Sequence, residues 1–215
     1  MQVQLEAFEG LNPFQENAFL VHDNKIAHLF DPGFSNSQEW EILLRKLKDQ
    51  KLNVEAIVLT HAHVDHIMGL QKALQLFNVP VYMHRDSFVF IEKYPEQAMM
   101  FGLEAEPITV RPEFIDASPA LTIQSLTYDV RFTPGHSPGH LAFHRKQEGW
   151  VIVGDALFAG SIGRTDLYGG DYDLLEKSIR EELYTLPDET VVWPGHGTHT
   201  TIGYEKANNA FIRQG

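Results

Sequence analysis

The sequence predicts an α+β fold in which β-sheet is sandwiched with helices on the outside. Two observations lead there. Short strand-like runs crowd the middle of the chain, and stretches with helical period are dispersed among them rather than gathered at one end. Strand-like stretches at about 2–8, 18–22 and 26–30 run into Asp31-Pro-Gly33, a turn signal. A helix follows from Ser37 to Gln50, with Trp40, Leu43, Leu44 and Leu47 on its apolar face. Next come a strand at 54–60, a helix at 66–77 and the strand Val79–His84. The later half repeats the theme with strands near 121–127, 129–133, 140–144 and 150–154. A helix at Tyr172–Leu186, a strand at 190–193 and a last helix from about Ile202 to Phe211 complete it.

Residues 94–119 stand apart, because they carry four of the 11 prolines and the apolar group Met99-Met100-Phe101. Such a segment reads either as a lid or irregular connection, or as an apolar group packed on the core. At 215 residues, with no shift in composition along the chain, a single domain spanning 1–215 is expected.

Composition narrows the function. Lys and Arg number 17 against 29 Asp and Glu, a formal net charge of −12, and no basic tract is present, so a nucleic-acid partner is not expected. There is no cysteine, which excludes disulfides and thiolate ligands. The N-terminal ten residues have neither a basic leader nor a continuous apolar core, so no signal peptide is expected. No apolar run approaches the ~20 residues that span a bilayer. The expectation is a cytoplasmic protein with a small-molecule partner and no membrane contact.

The chemistry is concentrated in His61-Ala-His-Val-Asp-His66, directly after the apolar run Ile57-Val-Leu-Thr60. Three further candidates sit at the ends of similar runs: His136 in Thr133-Pro-Gly-His136, Asp155 in Val151-Ile-Val-Gly-Asp155, and His196 in Val192-Trp-Pro-Gly-His196. Imidazoles and carboxylates bind borderline divalent ions, and a catalytic site needs enough of them to hold the metal while leaving a position for water. If the chain stays extended after the strand, His61 and His63 leave the backbone on one side and clamp one ion. Asp65 and His66 lie where the chain turns into a helix and point at a neighbouring volume, which suggests a second ion. His22, His28, His84, His144 and His199 read as ordinary core or surface histidines. His140, four residues after His136, reads either that way or as a hydrogen-bonded support for a ligand.

Thr60-His-Ala-His-Val-Asp-His66, Gly135-His136, Gly154-Asp155 and Gly195-His196, in this order, resemble the metallo-β-lactamase superfamily, and the resemblance runs essentially end to end. It implies an αββα sandwich of two mixed β-sheets flanked by helices. By the family pattern His61, His63 and His136 hold one metal, Asp65, His66 and His196 a second, and Asp155 lies between both. It also suggests a supporting contact from Asp31, whose place in Asp-Pro-Gly equally fits a turn former. Phe158-Ala-Gly-Ser-Ile-Gly-Arg-Thr-Asp166, with Pro194-Gly-His-Gly197 and Thr200-Thr-Ile-Gly-Tyr-Glu-Lys-Ala-Asn-Asn-Ala-Phe211, is similar to the compact bacterial type II glyoxalase (hydroxyacylglutathione hydrolase) group. Members of that group hydrolyse thioesters such as S-lactoylglutathione.

The resemblance thus implies a thioester hydrolase with two divalent ions, zinc first and iron or manganese as alternatives. In it a metal-bound hydroxide attacks the carbonyl and Asp65 orients that hydroxide. Arg164 stands where the larger enzymes of the group place a glutathione-contacting lysine, and is the candidate for the substrate's carboxylate. Its other reading is a structural partner of Asp166, which replaces the tyrosine expected there. The larger enzymes also carry a C-terminal helical region with further glutathione contacts, which a chain ending at Gly215 is expected to lack.

Three alternatives compete. Gly-Arg-Thr-Asp is shared with iron-dependent glutathione persulfide dioxygenases, and His61, His63, His136 and Asp155 contain a facial two-histidine, one-carboxylate set. A β-lactamase is disfavoured by the missing export signal and cysteine. A metal-stabilised binding module without turnover would need only a closed site of four ligands, which seven candidates exceed.

Overall fold

The structure, a computed structural model, describes residues 3–23, 25–115 and 119–213. These fall into two compact units divided between Phe114 and Ile115. The expected fold class is found: two mixed sheets, each with helices packed on it.

The first unit holds a six-stranded sheet in the order β1 to β6. β1 (Gln4–Leu11), β2 (Glu16–His22) and β3 (Ile26–Phe30) run antiparallel to one another, while β4 (Asn53–Val58), β5 (Val81–Met83) and β6 (Glu113–Phe114) continue parallel to β3. Helix α1 (Ser37–Gln50) crosses between β3 and β4. Its start is set by a capping box in which Asn36 accepts the N–H groups of Gln38 and Glu39 and the Glu39 carboxylate reaches back to the Asn36 N–H. Trp40, Leu43 and Leu47 join Leu20, Leu29 and Ile57 in one core, each burial being worth about 1.5–3 kcal/mol. Leu44, expected on that face, is 38% exposed because it lies a step round the helix from Trp40 and Leu47.

The helix expected at 66–77 is shorter. A 3-10 turn occupies Val64–His66 and α2 runs only over Leu70–Phe77. The reason is Gly69, whose N–H donates to Pro32 O (2.8 Å) and whose missing side chain leaves room for Pro32 O and the Trp40 ring. α3 (Phe88–Glu92) leads into the proline-interrupted segment, in which α4 (Tyr94–Met100, with Pro95 in its first turn) precedes β6. Met99 and Met100 are 72% and 73% exposed rather than packed on the core, whereas the Phe101 ring meets Phe14 edge-on at 5.1 Å. Residues 116–118 of that segment lie outside the described residues.

The second unit holds a sheet in the order β14, β13, β10, β9, β8, β7. Its strands are β7 (Ala120–Ile123), β8 (Leu126–Phe132), β9 (Leu141–Arg145), β10 (Trp150–Gly154), β13 (Val191–Pro194) and β14 (Thr200–Thr201). β10 and β13 are parallel and the remaining neighbours antiparallel, and a small hairpin of β11 (Leu157–Phe158) and β12 (Ser161–Ile162) stands apart. The turn expected near 128 is at Gln124-Ser125, where Gln124 takes φ 52°, and Tyr128 is wholly buried inside β8. The helix expected at 172–186 is α5 (Tyr172–Ser178) followed by a π-turn at Ile179–Leu183. The last helix, α6, is Ile202–Asn208, shorter than expected because the Asn209 side chain caps the chain beyond it, accepting from the N–H groups of Phe211 and Ile212. Leu175, Ile179, Leu183 and Ile202 pack with Val151, Val153 and Val192.

Candidate metal centre

In the first unit the candidate residues lie just past the carboxyl ends of two parallel strands, where α/β sheets open a crevice. Pairing of Phe30 with Val58, and the Asp31 N–H bond to Val58 O (3.1 Å), bring Asp31 beside Thr60. Asp31 adopts φ 45°, a left-handed conformation that aspartate tolerates, and the turn closes through Gly33 N–H to Asp31 O (2.8 Å). Its carboxylate is fully buried and receives three bonds. Oδ1 accepts the Thr60 N–H (2.8 Å), while Oδ2 accepts the Thr60 hydroxyl (2.6 Å) and His66 Nδ1 (3.1 Å).

These bonds determine the histidine tautomers. A carboxylate oxygen only accepts, so His66 carries its proton on Nδ1 and, in the neutral ring, presents Nε2 as a lone pair. The one Thr60 hydroxyl proton is spent on Asp31, so Thr60 Oγ1 accepts from His61 Nδ1 (3.1 Å), and His61 too presents Nε2. Asp31 therefore does more than form its turn. The ring centroids of His61 and His63 are 4.8 Å apart and those of His61 and His66 4.1 Å, while His66 Nε2 is 3.9 Å from Asp65 Oδ2. The donor atoms of Asp31, His61 and His66 lie within 4.8 Å of one another. Because the Asp31 oxygens already accept three bonds, we read Asp31 as the support that orients the rings. Phe90 packs edge-on against His63 at 5.0 Å.

In the second unit the parallel pairing of Gly154 with Pro194, with Gly195 N–H bonded to Gly154 O (2.8 Å), sets Asp155 and His196 side by side. Gly154 has φ 47°, which turns the chain so that Asp155 leaves the strand end. One oxygen, Asp155 Oδ2, is 3.6 Å from His136 Nε2 and 3.4 Å from His196 Nε2. His136 Nδ1 donates to Arg164 O (2.8 Å), so it also turns Nε2 inward. Gly163 makes this loop possible: a Cβ there would collide with Asp155 O and crowd His136 Nδ1. His140 is fully buried. Its Nε2 accepts the Asp155 N–H (3.1 Å), so Nδ1 is protonated and donates to Thr133 Oγ1 (2.8 Å). It holds the backbone of Asp155 rather than an imidazole.

Arg164 and Asp166 form a two-point pair, Nε to Oδ1 at 2.7 Å and Nη2 to Oδ2 at 2.8 Å, in an exposed position. Hydrogen bonds from Arg164 hold the Asp166 carboxyl down to about 2. The remaining histidines are engaged elsewhere. His22 bonds Asp23 O and Glu6, His84 accepts the Asp86 N–H, His144 meets Asp129, and the His199 ring lies against Trp193. His28 is buried within β3.

Two participants carry no assignment from sequence. Thr60 links Asp31 to His61, and its signal was a hydroxyl directly before the first histidine. Glu16 is fully buried in β2 with Oε1 3.8 Å from His66 Nδ1, and its signal was an acid two residues before the apolar run Ala18-Phe-Leu-Val21. Gly33 leaves the space that the Glu16 carboxylate occupies.

Comparisons with known proteins show the family. The sequence profile described as the metallo-beta-lactamase superfamily matches residues 11–196. Hydroxyacylglutathione hydrolase GloC of Haemophilus influenzae is 37% identical over 203 residues, covering 93% of each chain. The probable metallo-hydrolase YqgX of Bacillus subtilis is 36% identical over 206 residues, covering 94% of each. Among solved structures, the BLEG-1 B3 metallo-beta-lactamase aligns with a TM-score of 0.87 at 39% identity, covering 98% of this chain and 100% of that one. TTHA1623, solved in a di-iron-bound form, aligns with a TM-score of 0.82 at 36% identity, covering 95% and 100%.

Proposed function

The chain belongs to the metallo-β-lactamase superfamily, and from that premise we propose that it is a thioester hydrolase acting on S-lactoylglutathione or a related acyl-glutathione. The observation that carries this reading is the tautomer set. His61, His66 and His136 each bond an oxygen through Nδ1 and so offer Nε2, the nitrogen a metal takes when the other ring nitrogen is held. The residues thus fit a divalent ion.

In this proposal the two units form one domain over 1–215. His61, His63 and His136 would hold one ion, Asp65, His66 and His196 the other, and Asp155 would serve both, consistent with its Oδ2 facing His136 and His196. Bound divalent ions would lower the pKa of a water to about 7 and polarise a carbonyl. Asp65 would accept a hydrogen bond from the attacking water and orient it. Asp31 and His140 keep the ligands from turning. The leaving thiolate, with an intrinsic pKa of about 8.5, needs no proton donor from the chain. Arg164 exchanges its Asp166 partner for the substrate's carboxylate. The name of the Haemophilus relative supports the glutathione thioester as substrate, and in this proposal the protein works in the cytoplasm.

The test is release of free thiol from S-lactoylglutathione by the purified chain and its loss by at least about a hundredfold in Asp155→Asn. For a second reading, oxygen-dependent oxidation of glutathione persulfide with iron, the di-iron-bound relative supports the choice of metal. Oxygen uptake with the persulfide, and no thiol release from the thioester, would select it.

A further inference from the structure

One buried carboxylate outside the candidate ligands ties together the two loops that carry Asp155 and His196. Glu205, on α6, is fully buried, and a carboxylate is tolerated there only if its lone pairs are met. Three segments meet them. The Gly160 N–H, at the tip of the β11–β12 hairpin, donates to both Oε1 (3.1 Å) and Oε2 (2.9 Å). The Thr200 hydroxyl, at the start of β14, donates to Oε1 (2.7 Å), and Asn209 Nδ2 donates to Oε2 (2.8 Å). Asn209 Nδ2 also donates to Ser161 O (2.9 Å), and the Ala210 N–H to Gly160 O (3.2 Å), so the hairpin tip is fastened on both sides.

Each fastened point sits close along the chain to a candidate ligand. Gly160 is five residues after Asp155 and four before Arg164, whose carbonyl takes the His136 Nδ1 proton. Thr200 is four residues after His196. The hairpin also carries Phe158, whose ring meets the His196 imidazole at 6.0 Å and 86°. A shift of the hairpin therefore moves Phe158 against His196 and drags the Arg164 carbonyl away from His136.

We propose that Glu205 is a positioning residue for the His136, Asp155 and His196 group. It sets the spacing of two loops so that Asp155 Oδ2 faces His136 Nε2 and His196 Nε2 at once. The inference rests on the proposed reading of those three residues as ligands.

The test is a competition titration of zinc against a chromophoric chelator, on the full chain stripped of metal, well below the melting temperature. Four proteins are compared: wild type, Asp155→Asn, Glu205→Ala and Glu205→Gln. Glu205→Ala is expected to bind one zinc equivalent about tenfold more weakly, the lower end for removal of a residue that supports metal ligands. Glu205→Gln, which keeps one oxygen for the Gly160 N–H, is expected to recover most of that loss. A role confined to folding predicts a lower melting temperature with zinc affinity unchanged in both variants, and that result overturns the inference. Unchanged zinc binding in Asp155→Asn overturns instead the reading on which it rests. Should Glu205→Ala fail to fold, the near-isosteric Thr200→Val removes one donor and is read the same way: a weaker equivalent supports the inference and an equal one overturns it.

Discussion

Replacing Asp31 by asparagine asks whether histidine tautomers control the site. The side chain stays nearly isosteric and the left-handed backbone at φ 45° remains acceptable, since asparagine tolerates it as well as aspartate. Oδ1 can still accept the Thr60 N–H, now bonded at 2.8 Å. The other position becomes an NH2 group facing two groups that at present donate, the Thr60 hydroxyl at 2.6 Å and His66 Nδ1 at 3.1 Å. The hydroxyl can rotate and accept. The His66 ring can avoid two opposed donors only by moving its proton to Nε2, the atom that would bind metal. Freed from Asp31, the Thr60 hydroxyl can also turn its proton towards His61, pressing that ring the same way. Loss of such a support costs about 10–100-fold in metal affinity, or about 1.4–2.8 kcal/mol. One buried donor left unmatched costs about 1–3 kcal/mol of folding stability. The expected result for Asp31→Asn is a folded protein with one zinc equivalent weakened by at least about tenfold and a modestly lower melting temperature. Zinc affinity within twofold of wild type would refute the tautomer argument, and would leave Asp31 a turn former only.

Three further outcomes are expected. Burial holds the His144 imidazole below its ordinary 6.5, outweighing the Asp129 contact, so the unfolded chain takes up a proton that the folded one resists. Stability should therefore fall as pH drops through 6.5, and His144→Gln should flatten that part of a urea-midpoint profile. Gly135 has φ 127° and its absent Cβ would strike the Leu175 backbone, so Gly135→Ala should cost about 3 kcal/mol by denaturant unfolding and displace His136. Arg164→Ala should raise KM for a glutathione thioester with kcat little changed, and an unchanged KM in steady-state kinetics would end its proposed substrate role.

Much of this was legible in the sequence, for physical reasons. Ser37–Gln50 carries its own start signal in Asn36 and Glu39 and an apolar stripe, so local and long-range preferences agree. The His61–His66 cluster stands out because few folds gather so many ionisable groups at one strand end. The boundaries that differed depend on distant partners. The start of α2 is delayed by Pro32, far from it in sequence, and the turn at Gln124 rests on one residue's positive φ without a glycine or asparagine to mark it. The groups that contact the candidate ligands and their loops were harder still. Thr60, Glu16 and Glu205 each act through side-chain contacts with segments that sequence spacing cannot bring together, and an isolated hydroxyl or acid has no periodic signature.

The central claim is that these histidines and aspartates hold two divalent ions for thioester hydrolysis. The most direct measurement is the rate of S-lactoylglutathione hydrolysis by the metal-free chain as zinc is added in steps. Turnover is expected to be absent without metal and to rise and level off at two equivalents per chain. Two equivalents bound with no thiol released, or full activity in the stripped protein, would contradict it.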